Sequence, residues 1–203
     1  MWIKELKKQK NGKVSVRIDG AEGFVLYASE AAAFGLREES ELPREVYQEI
    51  CESILKRRAR ARLLHLLAAR DYPSAVLEQK LKKDGHPDAV IEDAVRYVKD
   101  SGFVDDERYA GEYVRMHQRT KTRRQIAYAL SQKGIRRDTV QKALAYGYEA
   151  DETQMIRAFL EKKKYDPETA SASERRRISQ ALLRRGFSPF EISRQVAGGV
   201  FDS

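Results

Sequence analysis

The sequence predicts a mainly α-helical fold, three tandem three-helix repeats in an elongated or curved array, preceded by a small N-terminal antiparallel β segment. Three observations predict it. Period-two alternation is confined to the first 28 residues, and apolar residues at helical spacing dominate from residue 43 onward. A glycine-centred pattern also returns three times along the chain, at Gly85, Gly134 and Gly186, spaced 49 and then 52 residues apart.

Residues 1–42 form the β-meander and a short helix. Val14, Val16 and Ile18 alternate with Lys13, Ser15 and Arg17, the pattern of a half-buried strand. Asn11-Gly12 precedes them, a two-residue hairpin turn, because both positions tolerate positive φ. Asp19-Gly20 punctuates, and Phe24–Tyr27 reads as a third strand. Ser29 is placed to cap a short helix running to about Phe34 and ending near Gly35. So small a sheet is marginal alone and must pack on the helix that follows. That helix connects across residues 43–59 into the first repeat. Pro43 suits its first turn, and no breaker interrupts it before Ala69. Its basic run Lys56, Arg57, Arg58, Arg60 and Arg62 reads as a solvated face opposite Val46, Ile50, Ile54 and Leu55.

The repeats are expected over 60–104, 105–149 and 150–197, with a tail at 198–203. Eight residues before the anchoring glycines stand Leu77, Ile126 and Ile178, and four before stand Leu81, Leu130 and Leu182. Six after come Ile91, Val140 and Ile192, and ten after come Val95, Leu144 and Val196. Each pair of spacings marks one face of a helix. Glycine between the two helices supplies the left-handed residue that closes the first. Lys83, Lys133 and Arg185 sit where a cation favours a helix C-terminus. Ser188-Pro189-Phe190-Glu191 reads as a capping box with proline at the first helical position, and His86-Pro87 opens the matching helix of the first unit. A third helix precedes each pair, carrying Leu63-Leu64 with Leu67-Ala68, Tyr109-Ala110 with Tyr113-Val114, and Met155-Ile156 with Phe159-Leu160. Its tyrosines, with Tyr128, Tyr146 and Tyr148, read as core packing rather than base-stacking groups.

Composition narrows the function classes. The 203 residues are 41% hydrophobic and 34% charged, with a formal net charge of +8. Residues 111–150 alone hold 9 basic and 3 acidic groups, a local excess that suits nucleic acid or an acidic partner. One cysteine excludes an intrachain disulfide. No apolar run approaches the roughly 20 residues that cross a bilayer, and the N-terminus lacks a secretory pattern, so a cytoplasmic protein is expected. No coiled-coil heptads call for a dimer, so a monomer is expected. There is no phosphate-binding glycine loop, HExxH motif or nucleophile arrangement, and the chain is read as non-enzymatic, with no cofactor. Asp105, Asp106 and Glu107 could suggest a metal-dependent nuclease, but carboxylates at a helix start are accounted for by capping and the helix dipole. His65, His86 and His117 lack paired ligand spacing, so no metal is expected.

The ordered motifs FVDDERYA (103–110), LKKDG (81–85), LSQKGI (130–135) and LLRRGFSPFEI (182–192) resemble signature stretches of the RecX family, over about residues 60–197. Asp84 stands where the family often has lysine, and the loop 119–124 lacks a glycine often found there. The resemblance implies three tandem three-helix units and a regulator that binds the RecA–single-stranded DNA filament, inhibiting its ATPase and strand exchange. It also implies, for some members, direct contact with single- or double-stranded DNA.

The proposed binding surface is Arg115, Arg119, Lys121, Arg123, Arg124, Lys133, Arg136 and Arg137. Arginine suits phosphate and carboxylate through its planar fork, and helix N-termini add donors for an anion. The competing reading is a DNA-binding helix-turn-helix over Gln125–Leu144, acting without RecA. There Leu130, Gly134, Ile135 and Val140 fit, while Lys133 stands where that motif wants an apolar residue.

Overall fold

A computed structural model describes residues 1–197, and the expected tail at 198–203 lies outside the described residues. The chain divides into two compact units, one of Met1–Asp105 and one from Asp106 onward.

The first unit opens with an antiparallel sheet of strand order β3-β2-β1-β4, built from β1 (Trp2–Lys8), β2 (Lys13–Asp19), β3 (Phe24–Tyr27) and β4 (Ser40–Glu41). Asn11 and Gly12 at the β1–β2 turn both have positive φ, 67° and 70°, as a tight hairpin with native twist requires. Val14, Val16 and Ile18 of β2 are buried, as are Phe24 and Leu26 of β3. Strand β4 has no alternation to announce it; its two residues pair with Trp2 and Ile3. Helix α1 (Ala28–Ala33), with its N-cap at Tyr27, begins two residues earlier than the sequence suggested. Ser29 is not its cap: the Tyr27 backbone N–H donates to the Glu30 carboxylate at 2.8 Å.

The connecting helix is α2 (Arg44–Glu49), a π-helical stretch (Ile50–Leu55) and α3 (Lys56–Leu67). Pro43 sits at its N-cap rather than within the first turn. The wider π turn is not visible in the apolar pattern, because Ile50 and Leu55 remain fully buried through it. Nor is the basic run a plainly solvated face. Arg58 pairs with Glu30 at 2.5 Å, Arg62 with Asp84 at 3.1 Å and Arg60 with Asp93 at 2.7 Å. Asp93 is 8% exposed and also faces Lys56 and Arg96 at 3.7 and 3.5 Å, so its charge is buried only in cationic company. With α4 (Ser74–Lys83) and α5 (Asp88–Asp100), α3 completes the first helical triplet. Sheet and helices share one core, in which Ile3, Phe24 and Leu26 join Leu55, Leu63, Leu77, Leu81 and Val98. Each such side chain contributes about 2 kcal/mol on leaving water.

The second unit holds α6 (Asp106–His117), α7 (Arg123–Gln132) and α8 (Arg137–Gly147), then α9 (Glu152–Lys162), α10 (Ala172–Arg184) and α11 (Pro189–Val196). Its two triplets keep separate cores, one around Val114, Ile126, Leu130 and Leu144 and one around Ile156, Leu160, Ile178, Leu182 and Ile192.

All twelve repeat positions are buried. The three glycines have φ of 83°, 79° and 89°. In each turn the residue after the glycine returns its N–H to the carbonyl five residues back: His86 to Leu81, Ile135 to Leu130 and Phe187 to Leu182, at 3.2, 3.2 and 3.3 Å. The glycine itself bonds three back, to Lys82, Ser131 and Leu183. This is the Schellman arrangement, which satisfies the orphan carbonyls of the helix end and favours an apolar residue after the glycine. Ile135 and Phe187 meet that preference. His86 does not, and its buried Nδ1 has no hydrogen-bond partner among the described residues.

Burial holds the His86 imidazole below its ordinary pKa, with Asp84 opposing and Arg58 and Lys13 reinforcing the shift. The folded state thus disfavours the protonated ring relative to the unfolded chain, where histidine titrates near about 6.5. Stability is complete above that pH and declines as pH falls through it toward the lower folded value. His86→Ile, which copies the second turn, is expected to flatten this dependence. Urea midpoints measured from pH 7.5 to 5 should fall less steeply in the variant; parallel curves would show that His86 is not the responsive group.

Candidate binding groove

The groove lies between the second and third triplets and is built from the loop that follows α6. Tyr113 stacks on His117 at 4.0 Å and 15° and on Tyr109 at 6.4 Å. Lys121 donates to the Tyr113 hydroxyl at 2.9 Å, and the Lys133 ammonium lies 5.7 Å from the same ring. Two cations at opposite ends of α7 thus converge on one tyrosine by hydrogen bonding and cation–π attraction.

Thr122 is the N-cap of α7 and is 1% exposed. Its Oγ1 accepts from the Gln125 N–H at 3.2 Å, while the Gln125 side-chain oxygen accepts from the Thr122 N–H at 3.1 Å. The same hydroxyl donates to the Arg185 carbonyl at 2.9 Å, across 63 residues of sequence. Gly186 follows immediately. A methyl group there would lie 3.0 Å from Arg124 Cβ and 3.1 Å from Thr122 Oγ1, so the third turn approaches α7 as closely as glycine permits. On the far side of the helix start, Arg123 N–H donates to Glu152 at 3.0 Å, and the Tyr148 hydroxyl donates to the same oxygen at 2.9 Å. Burial first, then the Glu152 carboxylate, push the Tyr148 hydroxyl well above its ordinary pKa.

Three concavities open around this junction. One of about 480 Å³ is lined by Arg119, Lys162 and Arg185 over Met155, Phe159 and Phe187. A second, of about 520 Å³, has Lys121, Arg124, Arg184 and Arg185 beside Tyr128 and Leu183. The two share Thr120, Gln125 and Arg185 as a common wall, and no carboxylate lines either. The third, about 640 Å³, differs: Arg123 and Arg124 are balanced there by Glu149 and Glu152.

The sequence-proposed surface is therefore divided. Arg119, Lys121, Arg123 and Arg124 line these concavities. Arg136 and Arg137 stand beyond the other end of α7, which at ten residues is about 15 Å long, and they line none of the three. Arg136 is paired with Asp138 at 2.9 Å, and Arg115 is paired with Glu112. Arg119, Arg124, Arg184 and Arg185 carry no carboxylate partner among the described residues. Sequence reasoning missed Lys162, Arg184 and Arg185, because their share in the groove depends on the Thr122–Arg185 contact. It also misread two tyrosines: Tyr128 and Tyr146 are 66% and 87% exposed rather than packed.

At the acidic joint, Asp106 and Glu107 lie in the first turn of α6, and Glu107 pairs with Lys142 at 3.4 Å. Among the described residues no group of three or more histidine, cysteine, aspartate or glutamate side chains is placed to hold a metal ion, and no helix is long and apolar enough to cross a membrane. The reciprocal half of the expected Ser188–Glu191 capping box gives way to another contact. Ser188 accepts from the Glu191 N–H at 3.1 Å, but the Glu191 carboxylate receives the Thr153 hydroxyl at 3.1 Å.

Comparison with known proteins matches the first, second and third three-helix domains of RecX to residues 59–97, 105–144 and 150–196. The regulatory protein RecX of Caldanaerobacter subterraneus subsp. tengcongensis is 30% identical over 184 residues, spanning 90% of this chain and 91% of that protein. That of Clostridium acetobutylicum is 27% identical, spanning 93% and 90%. A crystal structure titled regulatory protein RecX shares the fold with a TM-score of 0.62 at 23% identity, covering 96% of this chain and 98% of the other. RecX from Lactobacillus salivarius aligns with a TM-score of 0.59 at 23% identity, over 71% and 96%.

Thr122→Val keeps the shape of the residue but removes both the cap acceptor and the donor to Arg185. Leaving two part-buried backbone groups short of a partner is expected to lower stability by about 2 kcal/mol. Thr122→Ser, which keeps the hydroxyl, should lose less than half as much. Urea denaturation of the three proteins decides it, and a valine variant as stable as the parent would show that the junction does not depend on this hydroxyl.

Proposed function

The chain belongs to the RecX family, and from that premise we propose that it is a non-enzymatic regulator binding the RecA–single-stranded DNA filament. In this reading it acts in the cytoplasm as a monomer, mainly inhibiting ATP hydrolysis and strand exchange. Family membership supports the partner. The observation that carries the choice of surface is that Arg119, Arg124, Arg184 and Arg185 around the α7–α10 junction form no ion pair among the described residues and line two concavities without a carboxylate. Unpaired cations in a concave surface attract a polyanionic target from a distance and hold it at contact. A filament repeats its sites, so a protein made of repeated units can engage more than one protomer and gain from effective concentration. Arg115, Arg119, Lys121, Arg123, Arg124, Lys133, Arg136 and Arg137 remain the proposed contact set, with Arg119, Lys121, Arg123 and Arg124 at its centre.

One observation keeps a second reading in view, direct DNA binding by α7, its turn and α8. Lys133 offers the motif an apolar stem, since it is half-buried with its ammonium over the Tyr109 and Tyr113 rings. Arg137 and Gln141 are exposed on α8, as a groove-reading helix would need.

Purified protein at stoichiometric ratio to RecA is expected to depress RecA's DNA-dependent ATPase. Reversal of Arg123, Arg124, Arg136 and Arg137 to glutamate should weaken filament binding at least tenfold (roughly, since truncating desolvated charge pairs costs 2 kcal/mol or more), with helical circular dichroism unchanged. An unaffected ATPase removes the filament reading, and unchanged binding by the reversed protein removes this surface. Sequence-selective duplex binding without RecA moves the assignment to the second reading.

A further inference from the structure

The two carboxylate-free concavities share Thr120, Gln125 and Arg185 as a common wall, so they are adjacent basins of one concave surface. Both basins combine cations with apolar atoms, and the apolar atoms decide what fits. In the second basin Leu183 and Tyr128 are 43% and 66% exposed, side by side with Arg124 and Arg184. An exposed leucine on a helix face with no covering neighbour is an anchor point when a concave rim of charge surrounds it. The first basin is floored by Met155, Ala158, Phe159 and Phe187. Phe159 and Phe187 are buried, and the Arg185 guanidinium lies 4.3 Å from the Phe159 ring centroid.

Nucleic acid bound without a sequence code needs open aromatic faces on which bases stack. Of the large apolar side chains exposed or half-buried in the two basins, Tyr128 offers an open ring, whereas Leu183 and Met155 present aliphatic or thioether surface; Phe159 is buried and its face is covered by a guanidinium. Aliphatic basins take side chains. The surrounding arginines, planar and without carboxylate partners among the described residues, take carboxylates in pairs of parallel hydrogen bonds.

We propose that the groove between α7, α9 and α10 receives an extended peptide segment of a protein partner, one that carries apolar side chains spaced among aspartates or glutamates. This deepens the filament reading and rests on it only for the identity of the partner, since the chemistry of the groove is independent of which protein supplies the segment. The recognition mode is that of arginine clusters reading acidic motifs, with the two basins adding a requirement for apolar anchors that charge alone would not impose.

Fluorescence anisotropy on the full chain tests it. The probe is a labelled twelve-residue peptide of aspartates and glutamates with two phenylalanines interspersed. The controls are the same peptide with serine for each phenylalanine and a labelled twelve-nucleotide oligothymidylate. The phenylalanine peptide is expected to bind at least tenfold more tightly than its serine counterpart. Leu183→Glu and Arg184→Glu, both exposed positions, are each expected to weaken it tenfold or more with helical circular dichroism unchanged. Equal binding of the two peptides would reduce the groove to a nonspecific cationic surface and overturn the proposal. So would the absence of peptide binding, or oligothymidylate binding that displaces the peptide and is the more strongly weakened by Tyr128→Ala. The RecA ATPase separates the two readings: peptide binding with an unaffected ATPase leaves the groove assignment standing and removes the filament, whereas an inhibited ATPase without peptide binding does the reverse.

Discussion

The second unit depends on a close approach between the start of one helix and the end of another. Two triplets with separate apolar cores have little hydrophobic reason to hold a fixed geometry, so a directional contact must set it. Thr122 supplies that contact. Its hydroxyl accepts from the backbone of its own helix and donates to the Arg185 carbonyl, while the absence of a side chain on Gly186 lets the two backbones come together. A helix N-terminus with its positive end thus meets the negative end of α10, an arrangement favoured by the aligned peptide dipoles. Glu152 adds a second tie at the same helix start. The groove and its cations are what surround this junction.

The same turn is used elsewhere against a different neighbour. Gly85, with the φ of its two counterparts, lies so close to Val25 of β3 that a methyl group would overlap the valine side chain. In the first unit a strand therefore presses on the glycine turn, as the start of α7 does in the second. The sheet takes the place that a preceding triplet would hold, and it closes the apolar face that repeat units expose at a terminus. This accounts for why a four-stranded sheet with one two-residue strand is stable at all: it shares its core with α3, α4 and α5 rather than supplying its own.

Much of this fold was legible because its signals are local. The glycine turns, the helical spacing of Leu77, Leu81, Ile91 and Val95 with their counterparts, the Asn11-Gly12 hairpin and the Ser188 cap each depend on residues within a dozen positions. What the sequence did not disclose depends on distant pairing. Strand β4 exists only because Ser40 and Glu41 meet Ile3 and Trp2. The π stretch at Ile50–Leu55 preserves burial while shifting phase, so periodicity passes over it. The groove was half legible. Arg119 to Arg124 stood out as a charged loop before a helix, but Arg184 and Arg185 resembled an ordinary cationic helix end until Thr122 joined the two. Tyr128 was assigned to the core by spacing, although at its position α7 faces outward.

Charge distribution carries the final step, because the number of cations on a helix says less about its outward field than the number left without an acidic partner. In the first unit Arg58, Arg60 and Arg62 meet Glu30, Asp93 and Asp84, so a dense basic run is consumed internally and leaves little field outside. These pairs are partly buried, and their main consequence here is neutralisation. In the second unit the helix that bears Arg124 faces the one that bears Arg184 and Arg185 with no carboxylate between them. Bringing like charges together costs free energy in the isolated protein, a cost the Thr122 junction must offset. An anionic partner of the kind proposed would remove that repulsion on binding, so the folded chain would already hold part of the driving force. That is the physical reason to look for function at the junction rather than along the more heavily charged helix α3.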